Sequence, residues 1–359
     1  MKKSFLNIKT VVICGALSLS SAVIAGNEDR VGSNGAGHML VNPWARSSAM
    51  GDAGIASSVG LEAQFLNVAG LSGTNKTQIK FNHTNWMGSI SGVALNSAGI
   101  AQRIGENSVM AVSFQGFNYG DIMITTVANP EGNIGTYSPR ANIVNLSYAH
   151  RFSNTISAGV NVKVISETFS NVKANGLAFD AGIRYVTTDE KLKFGIALRN
   201  VGGKMKPKGD GFYAEGALIG SPYEMSLEQR LATYEMPALL AIGGAYDFVF
   251  NETNKLVLNL GYTANSFAYD QFRLGLDYSF ASKNVAFNIM GGYVYERKVT
   301  SIENRANALI GPACGFSVDA LVGKDKEIKE KTAIGVEYTA RFAGIFGVVH
   351  TFGATISIK

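Results

Sequence analysis

The chain has 359 residues, of which 16% are charged and 41 are glycine, whereas globular proteins average about 25% charged residues and about 7% glycine. The formal net charge of +5 falls to +2 without the three lysines of residues 1–25. No basic block is interleaved with aromatic residues, so composition argues against nucleic-acid binding. Cys314 is the one cysteine after residue 25, which excludes an internal disulfide framework.

The N-terminus has the pattern of a secretion signal. Three lysines within the first nine residues precede an apolar run over residues 11–24, which is followed by Ala25. The run has 14 residues, fewer than the roughly 20 that a helix needs to cross a bilayer. We therefore predict a cleaved signal peptide, residues 1–25, and export of the mature chain to the outer membrane.

The next stretch, residues 26–74, differs in composition from the rest of the chain. It is rich in glycine, alanine and serine, and it contains Pro43 and a helix-compatible stretch. We interpret it as a plug, or hatch, packed inside the structure that residues 75–359 form, and not as a separate domain.

From residue 75 onwards, apolar residues alternate with polar or small ones. One segment shows the pattern in full: Leu146, Tyr148, His150 and Phe152 alternate with Asn145, Ser147, Ala149 and Arg151. Successive side chains of a strand point to opposite faces, so each segment has one apolar face. A soluble β-sandwich would alternate in the same way. Segments of about 10 to 13 residues with aromatic residues near their ends, however, favour an all-β fold, a transmembrane antiparallel β-barrel.

We expect about fourteen strands, an even number as in bacterial single-chain barrels. They lie near residues 77–84, 90–101, 108–119, 142–152, 156–168, 176–187, 191–200, 237–250, 255–265, 271–281, 284–297, 307–319, 331–343 and 345–358. The twelfth is the weakest prediction, because Gly311, Pro312 and Gly315 interrupt it.

The connections between these segments alternate in length. The longest, residues 120–141 and 201–236, follow the third and seventh segments, and residues 169–175 and 298–306 follow the fifth and eleventh. Outer-membrane barrels alternate long outer loops with short periplasmic turns, so these connections should all face outward. Residues 320–330 disagree, because they form a long, charged connection on the inner side.

We find no catalytic or metal-binding constellation and predict no enzyme activity, no metal and no cofactor. The four histidines lack the spacing of a metal site, and no G-x-S-x-G elbow marks a nucleophile. Ser147 and His150 would suit a lipid hydrolase of the outer membrane. A separation of three, however, places them on opposite faces of a strand.

Charged residues also fall on the predicted inner face of the barrel. They are Asp180, Arg184, Arg199, Arg273, Asp277, Glu337 and Arg341. Asp180 and Arg184 stand four residues apart, as do Arg273 and Asp277, so these charges could pair across strands. We interpret them as structural groups that hold barrel and plug together, with a substrate path through the lumen as the alternative.

The long outer loop, residues 201–236, is the predicted recognition surface. Our candidates for partner binding in it are Lys206, Phe212, Tyr213, Tyr223 and Tyr234. Ser226, followed by residues 227–231, could start a short helix. The alternative is a solvated loop that only caps the pore.

Several motifs of the mature chain match one known family. Residues 42–56 (NPWARSSAMGDAGIA) are similar to its opening motif, and residues 66–71 (LNVAGL) to its WNPAGL element, with Val68 in place of the proline. Residues 177–185 (LAFDAGIRY) and 197–205 (ALRNVGGKM) are similar to its strand motifs. The chain thus resembles the PorV/PorQ family, FadL-like barrels of the Bacteroidetes type IX secretion system.

The resemblance implies a non-enzymatic outer-membrane barrel that takes part in protein secretion. Members of the family bind the C-terminal signal domain of exported cargo and associate with a large translocon barrel, or belong to the surface attachment complex. The partners implied here are outer-membrane lipid, secreted cargo and one of those complexes. Because fold does not fix function, a FadL-like channel for hydrophobic small molecules is the alternative.

Overall fold

The computed structural model describes residues 26–87, 92–217, 219–220, 223–229, 231–301, 305–323 and 331–358. The predicted signal peptide, residues 1–25, lies outside these ranges.

A closed barrel of fourteen antiparallel strands forms the body of the protein. In chain order, the barrel strands and the four short strands outside the barrel (β4, β5, β10 and β11) are β1 (Thr77–Asn85), β2 (Ala94–Ile104), β3 (Ser108–Asn118), β4 (Ile122–Met123), β5 (Thr136–Tyr137), β6 (Arg140–Arg151), β7 (Ile156–Phe169), β8 (Val172–Val186), β9 (Leu192–Gly202), β10 (Tyr213–Ala217), β11 (Glu224–Glu228), β12 (Leu239–Val249), β13 (Asn254–Asn265), β14 (Gln271–Ala281), β15 (Val285–Glu296), β16 (Gly311–Val322), β17 (Thr332–Phe342) and β18 (Val348–Ile358). β4 pairs with β5 and β10 with β11 outside the barrel, and β1 pairs with β18 to close it.

The helices are short. They are α1 (Ala45–Ala49), α2 (Leu61–Leu66) and the 3-10 turns Glu28–Arg30, Gly37–Leu40, Val68–Gly73, Asp210–Phe212 and Gly344–Phe346. No helix in the described part of the chain combines the length and the apolar character needed to span a membrane.

The alternation predicted from the sequence sets the two faces of the wall. Leu146 and Tyr148 point outward and are 49% and 42% exposed, whereas Asn145 and Ser147 point inward and are 1% exposed. An apolar outside and a polar inside are what a barrel surrounded by lipid requires. The predicted barrel and its fourteen strands are confirmed.

Strand boundaries agree with the prediction to within about four residues; β2, for example, begins at Ala94 and not at residue 90. Two of these differences change a predicted connection. The predicted outer gap 169–175 is a two-residue turn, because pairing of β7 with β8 continues to Phe169 and Val172. β16 begins at Gly311 and not at residue 307, since Gly311 has a left-handed φ of +103° and ends the preceding loop. Of the charged connection predicted at 320–330, residues 324–330 lie outside the described residues.

The long and the short connections lie at opposite ends of the barrel. Residues 119–139 and 203–238 leave one end, which we call the outer end. Tight turns such as 152–155 and 250–253 lie at the other, inner end. Apart from the short β7–β8 turn at the outer end and the long connection 323–331 at the inner end, the predicted alternation of long and short connections therefore holds.

Residues 41–74, the enclosed segment, lie inside the barrel. Trp44, Leu61 and Leu71 are fully buried there, and they pack in one apolar cluster with inward-facing wall residues such as Ala101 and Val109. The core of the molecule therefore lies between the wall and this segment.

Candidate functional site

The predicted recognition surface, residues 201–236, corresponds to the connection 203–238 between β9 and β12, which carries a small hairpin of its own. β10 and β11 pair from Tyr213↔Glu228 to Ala217↔Glu224, outside the barrel sheet. Met225 and Leu227, which share one face of β11, are 42% and 39% exposed. This loop, which we call the outer loop, therefore presents a short two-stranded sheet with an apolar face.

The rim of the barrel positions the base of the outer loop. Lys208 pairs with Lys173 of β8 through both backbone hydrogen bonds, at 2.8 and 2.9 Å. Gly209 lies so close to Asn171 that a Cβ would stand 2.0 Å from the Asn171 carbonyl oxygen, and its φ is +144°. The tall β7–β8 hairpin thus supports the loop, and this approach requires glycine at position 209.

The five candidate residues do not form one cluster. Tyr213 starts β10, Tyr223 precedes β11 at the far end of the hairpin, and both are well exposed, at 51% and 75%. Phe212 is half-buried, and Lys206 is exposed beside the base of the loop. The structure therefore leaves Lys206, Tyr213 and Tyr223 accessible along the loop.

Tyr234 contacts both the base of the loop and the wall. Its backbone exchanges two hydrogen bonds with Met205, at 2.9 and 3.0 Å, and its hydroxyl donates to Glu167 of β7. Burial, with the bond to Glu167, raises the pKa of the Tyr234 phenol. Tyr234 therefore serves to hold the loop on the wall.

The short helix predicted from Ser226 is wrong. Residues 224–228 form β11, and their backbone pairs with β10. The cap signal of Ser226 is local, whereas Met225 and Leu227 alternate with Ser226 and Glu228 at the period of a strand. Pairing with β10 therefore makes residues 224–228 a strand and not a helix.

Inward-facing glycines of the wall make room for the enclosed segment. A Cβ at Gly292 would lie 2.2 Å from the backbone of Met50, and one at Gly275 2.8 Å from the Met50 carbonyl oxygen. Gly182 is as close to the Asn67 side chain, at 2.1 Å. Composition alone shows only that glycine is abundant; its position on the inward face of a strand is the signal for close packing.

Ion pairs join the enclosed segment to the wall at three places. Arg46 pairs with Asp277 at 2.7 Å, and Glu62 pairs with Lys80, which also reaches Glu337 at 2.9 Å. The third is Asp52, which accepts from Arg273 at 3.0 Å and from Arg341 at 3.1 Å. Asp277, Glu337, Arg273 and Arg341 were all placed on the inner face by sequence.

The remaining inner charges have other partners. Asp180 pairs with Lys163 at 2.7 Å, Arg184 donates to the Ala56 carbonyl at 2.7 Å, and Arg199 lies 4.0 Å from the centroid of the Phe65 ring. Asp180 thus pairs across strands with β7, whereas Asp277 and Arg273 pair with the enclosed segment.

Asp52 is buried, with a side chain that is 6% exposed. Burial would raise the pKa of its carboxyl group, but the guanidinium groups of Arg341 and Arg273 outweigh burial and hold that pKa below its usual range. Asn42 adds a hydrogen bond of 2.6 Å. Asp52 is thus an ionised group whose charge is balanced by two strands far away in sequence.

Two cavities lie above and below the enclosed segment. The outer cavity holds about 630 Å³. Its described charged lining residues are Asp52, Arg199, Arg273, Arg305 and Arg341, beside apolar groups such as Phe65 and Phe267. The inner cavity, about 360 Å³, is bordered by Arg46, Lys80 and Asp277. The enclosed segment lies between them, so the two cavities occupy opposite ends of the lumen.

The described residues offer no support for catalysis. Ser147 faces inward and is buried, whereas the ring of His150 bonds to the Ser108 hydroxyl at 2.9 Å on the outward face. In the described ranges, no three His, Cys, Asp or Glu side chains are grouped to hold a metal ion.

Solved structures similar to this chain are barrels. The toluene transporter TbuX of Ralstonia pickettii is 14% identical, with a TM-score of 0.50 over 88% of this chain and 97% of that one. A FadL homologue of Pseudomonas aeruginosa is 13% identical, with a TM-score of 0.52 over 89% and 98%. The Pseudomonas putida toluene transporter TodX is 11% identical, with a TM-score of 0.53 over 88% and 97%. At such identities these likenesses show the fold alone, which is a FadL-like barrel.

Comparison with curated proteins gave no match. The family model described as type IX secretion system protein PorV matches residues 24–265, more than half of the chain. This match includes the opening motif, the enclosed segment and the outer loop, and it confirms the resemblance found in the motifs. The chain belongs to the PorV family of type IX secretion system proteins.

Proposed function

We propose that this outer-membrane barrel binds exported cargo at its outer loop and passes it to the surface attachment machinery, without a catalytic step of its own. Membership of the PorV family places the chain in type IX secretion. The assignment of cargo binding to the outer loop rests mainly on the β10–β11 hairpin. This hairpin is not part of the barrel sheet, and it exposes Tyr213, Tyr223, Met225 and Leu227.

The hairpin suits recognition of a protein for two physical reasons. A two-stranded sheet has free backbone edges to which an extended segment can add as a further strand. Exposed tyrosines supply a large contact area at a low cost in side-chain entropy. Both favour a β-rich polypeptide over a small molecule, which agrees with cargo that carries a folded C-terminal signal domain.

The enclosed segment completes the proposal. We infer that it acts as a plug, because its buried core and its three ion-pair anchors occupy the lumen between the two cavities. A plugged lumen directs cargo to the outer surface and the wall, and not through the barrel.

One observation favours a second candidate, a FadL-like channel for hydrophobic small molecules. The outer cavity of about 630 Å³ is partly lined by apolar side chains, and its size falls within the range of ligand pockets, about 300–1,000 Å³. A channel would need the enclosed segment to move, whereas a cargo receptor would not.

Deletion of residues 208–232, which removes the hairpin, separates the two candidates. Affinity purification from native outer membranes should then recover at least about tenfold less cargo, while the protein keeps the heat-modifiable gel mobility of a folded barrel. Unchanged recovery of cargo would contradict the proposed role of the loop. Copurification of a fatty acid or another small hydrophobic molecule in place of cargo would favour the channel.

Point variants make the test sharper. Tyr223→Ala and Tyr213→Ala should each lower cargo recovery, because each removes an exposed aromatic contact. Tyr137→Ala, in the other long outer loop, is the matched control and should leave it unchanged. If all three variants bound cargo equally, the hairpin would not be the recognition surface.

A further inference from the structure

The first described residues of the mature chain lie across the outer end of the lumen. Within residues 26–40, which we call the strap, Asn27 donates its backbone N–H to the Asn265 carbonyl at 3.4 Å. Arg30 lies 4.1 Å from the centroid of the Phe267 ring. Thr77, just after the enclosed segment, starts β1 at the inner end. The chain therefore enters the lumen at the outer end and leaves it at the inner end.

The strap is fastened to the base of the outer loop. Arg30 pairs with Glu235 at 2.6 Å, and the backbone N–H of Gly35 donates to the Glu235 carbonyl at 3.0 Å. Gly35 lies flat on Tyr234, since a Cβ at Gly35 would stand 2.0 Å from that ring. Glu235 also pairs with Lys204 of the loop, at 3.2 Å. Glu235 is thus shared between the strap and the loop.

A second contact involves the wall. Glu167 of β7 pairs with His38 of the strap at 3.2 Å and accepts the hydroxyl hydrogen bond of Tyr234. Below it, Ala36 and Met39 of the strap pack in one apolar cluster with Met205 and Met236 of the loop. One small area therefore brings together the strap, the wall and both ends of the outer loop.

The strap and the enclosed segment are held by contacts of different strength. Arg30 and Glu235 have side chains that are 43% and 37% exposed, whereas Asp52 and Arg341 of the anchor are 6% and 7% exposed. Ala36 and Met39, in contrast, are only 5% and 1% exposed and belong to the apolar cluster with Met205 and Met236. Exposed ion pairs are screened by water and contribute little, so residues 26–35 of the strap can detach at lower cost than residues 36–40 or the segment below them. Val31, Gly32 and Asn34 of this part also border the outer cavity.

We propose that the strap is a latch: occupation of the outer loop releases residues 26–35 from Glu235 and Tyr234 and opens the outer cavity, while residues 36–40 and 44–71 stay in place. The role of the occupant rests on the proposed function, but the latch itself is a property of the barrel alone. A partner that competes for Glu235 or moves Tyr234 weakens every strap contact at that point. Coupling is reciprocal, so a detached strap also loosens the base of the loop.

Hydrogen exchange of the purified full-length barrel in detergent tests the latch without any cargo. Arg30→Gln and Lys204→Gln form a matched pair, because each removes one cation from Glu235 and only Arg30 belongs to the strap. In Arg30→Gln, amides of residues 26–35 should exchange about two- to fivefold faster than in the wild type, as expected for the loss of an exposed ion pair, with residues 36–40 and 44–71 unchanged. Lys204→Gln should leave the strap close to wild type.

Access to the cavity gives a second readout. In a Cys314→Ala background, a cysteine introduced by Ala238→Cys, beside the outer cavity, should react several-fold faster with a bulky maleimide when Arg30→Gln is present. Equal strap exchange in the two variants, or exchange of residues 44–71 together with the strap, would overturn the latch. Neither result would affect cargo recovery by the hairpin, so the two proposals can fail separately.

Discussion

The barrel wall and the enclosed segment touch over most of the lumen, yet different rules govern their burial. In the wall, every second residue is apolar and faces outward, as Leu146 and Tyr148 do. The segment follows no such period. Most of it, with residues 57–59 as the main exception, is buried because glycines of the wall accept its backbone and because Asp52 and Glu62 find charged partners on distant strands. The wall depends on local pattern, and the segment depends on contacts between remote parts of the chain.

The largest effect should come from removing an anchor of the segment. Asp52→Ala leaves Arg273 and Arg341 buried without their shared carboxylate, and breaking a buried ion pair costs about 3–5 kcal/mol. The loss should appear as a lower midpoint in urea unfolding of the barrel in detergent micelles. Asp189→Ala, an exposed aspartate in an inner turn, is the control and should leave the urea midpoint close to that of the wild type. A similar small change in both variants would show that the segment is not anchored at Asp52.

A charge on the outer face of the wall should have the next largest effect. Leu146 lies near the middle of β6, and an arginine at the bilayer midplane costs about 2–4 kcal/mol, against about 0–1 kcal/mol near the interface. Leu146→Arg should therefore destabilise the barrel in lipid vesicles far more than Phe152→Arg, at the inner end of the same strand. Equal costs at the two positions would mean that β6 does not cross lipid.

The smallest of the three effects tests the close approach of wall and segment. In Gly292→Ala the new methyl group meets the backbone of Met50 and Gly51, at 2.2 and 2.3 Å, and overpacking typically costs about 1–3 kcal/mol. Gly291→Ala is the matched control, because a Cβ there has no atom within 4 Å. If the two variants unfolded at the same urea concentration, the segment would not pack against β15.

The sequence predicts the wall and much less of the site. Fourteen strands could be located because each carries its own alternation, and even β16, which Gly311 and Pro312 obscure, was predicted at residues 307–319 and lies at Gly311–Val322. The turn between β7 and β8 was predicted too long, because strand pairing continues where the alternation becomes weak.

The partners of the inner charges could not be predicted, for a physical reason. Asp52 and Arg341 are 289 residues apart in the chain, and no local pattern carries such a pairing. The contact of Tyr234 with Glu167 of the wall could not be predicted either, and the sequence assigned Tyr234 to partner binding. Lys206, Tyr213 and Tyr223 remain candidates, because the structure leaves them exposed on the outer loop.

The most direct test of a cargo receptor at the cell surface is the side of the outer membrane on which the outer loop lies. Single cysteines introduced by Tyr223→Cys in the outer loop and by Glu252→Cys in an inner turn, both in a Cys314→Ala background, can be probed on intact cells with a membrane-impermeant maleimide. We predict labelling of the Tyr223→Cys protein on intact cells, and of the Glu252→Cys protein only after the outer membrane is permeabilised. Labelling of the inner turn on intact cells, with the outer loop protected, would contradict a cargo receptor that faces the cell surface.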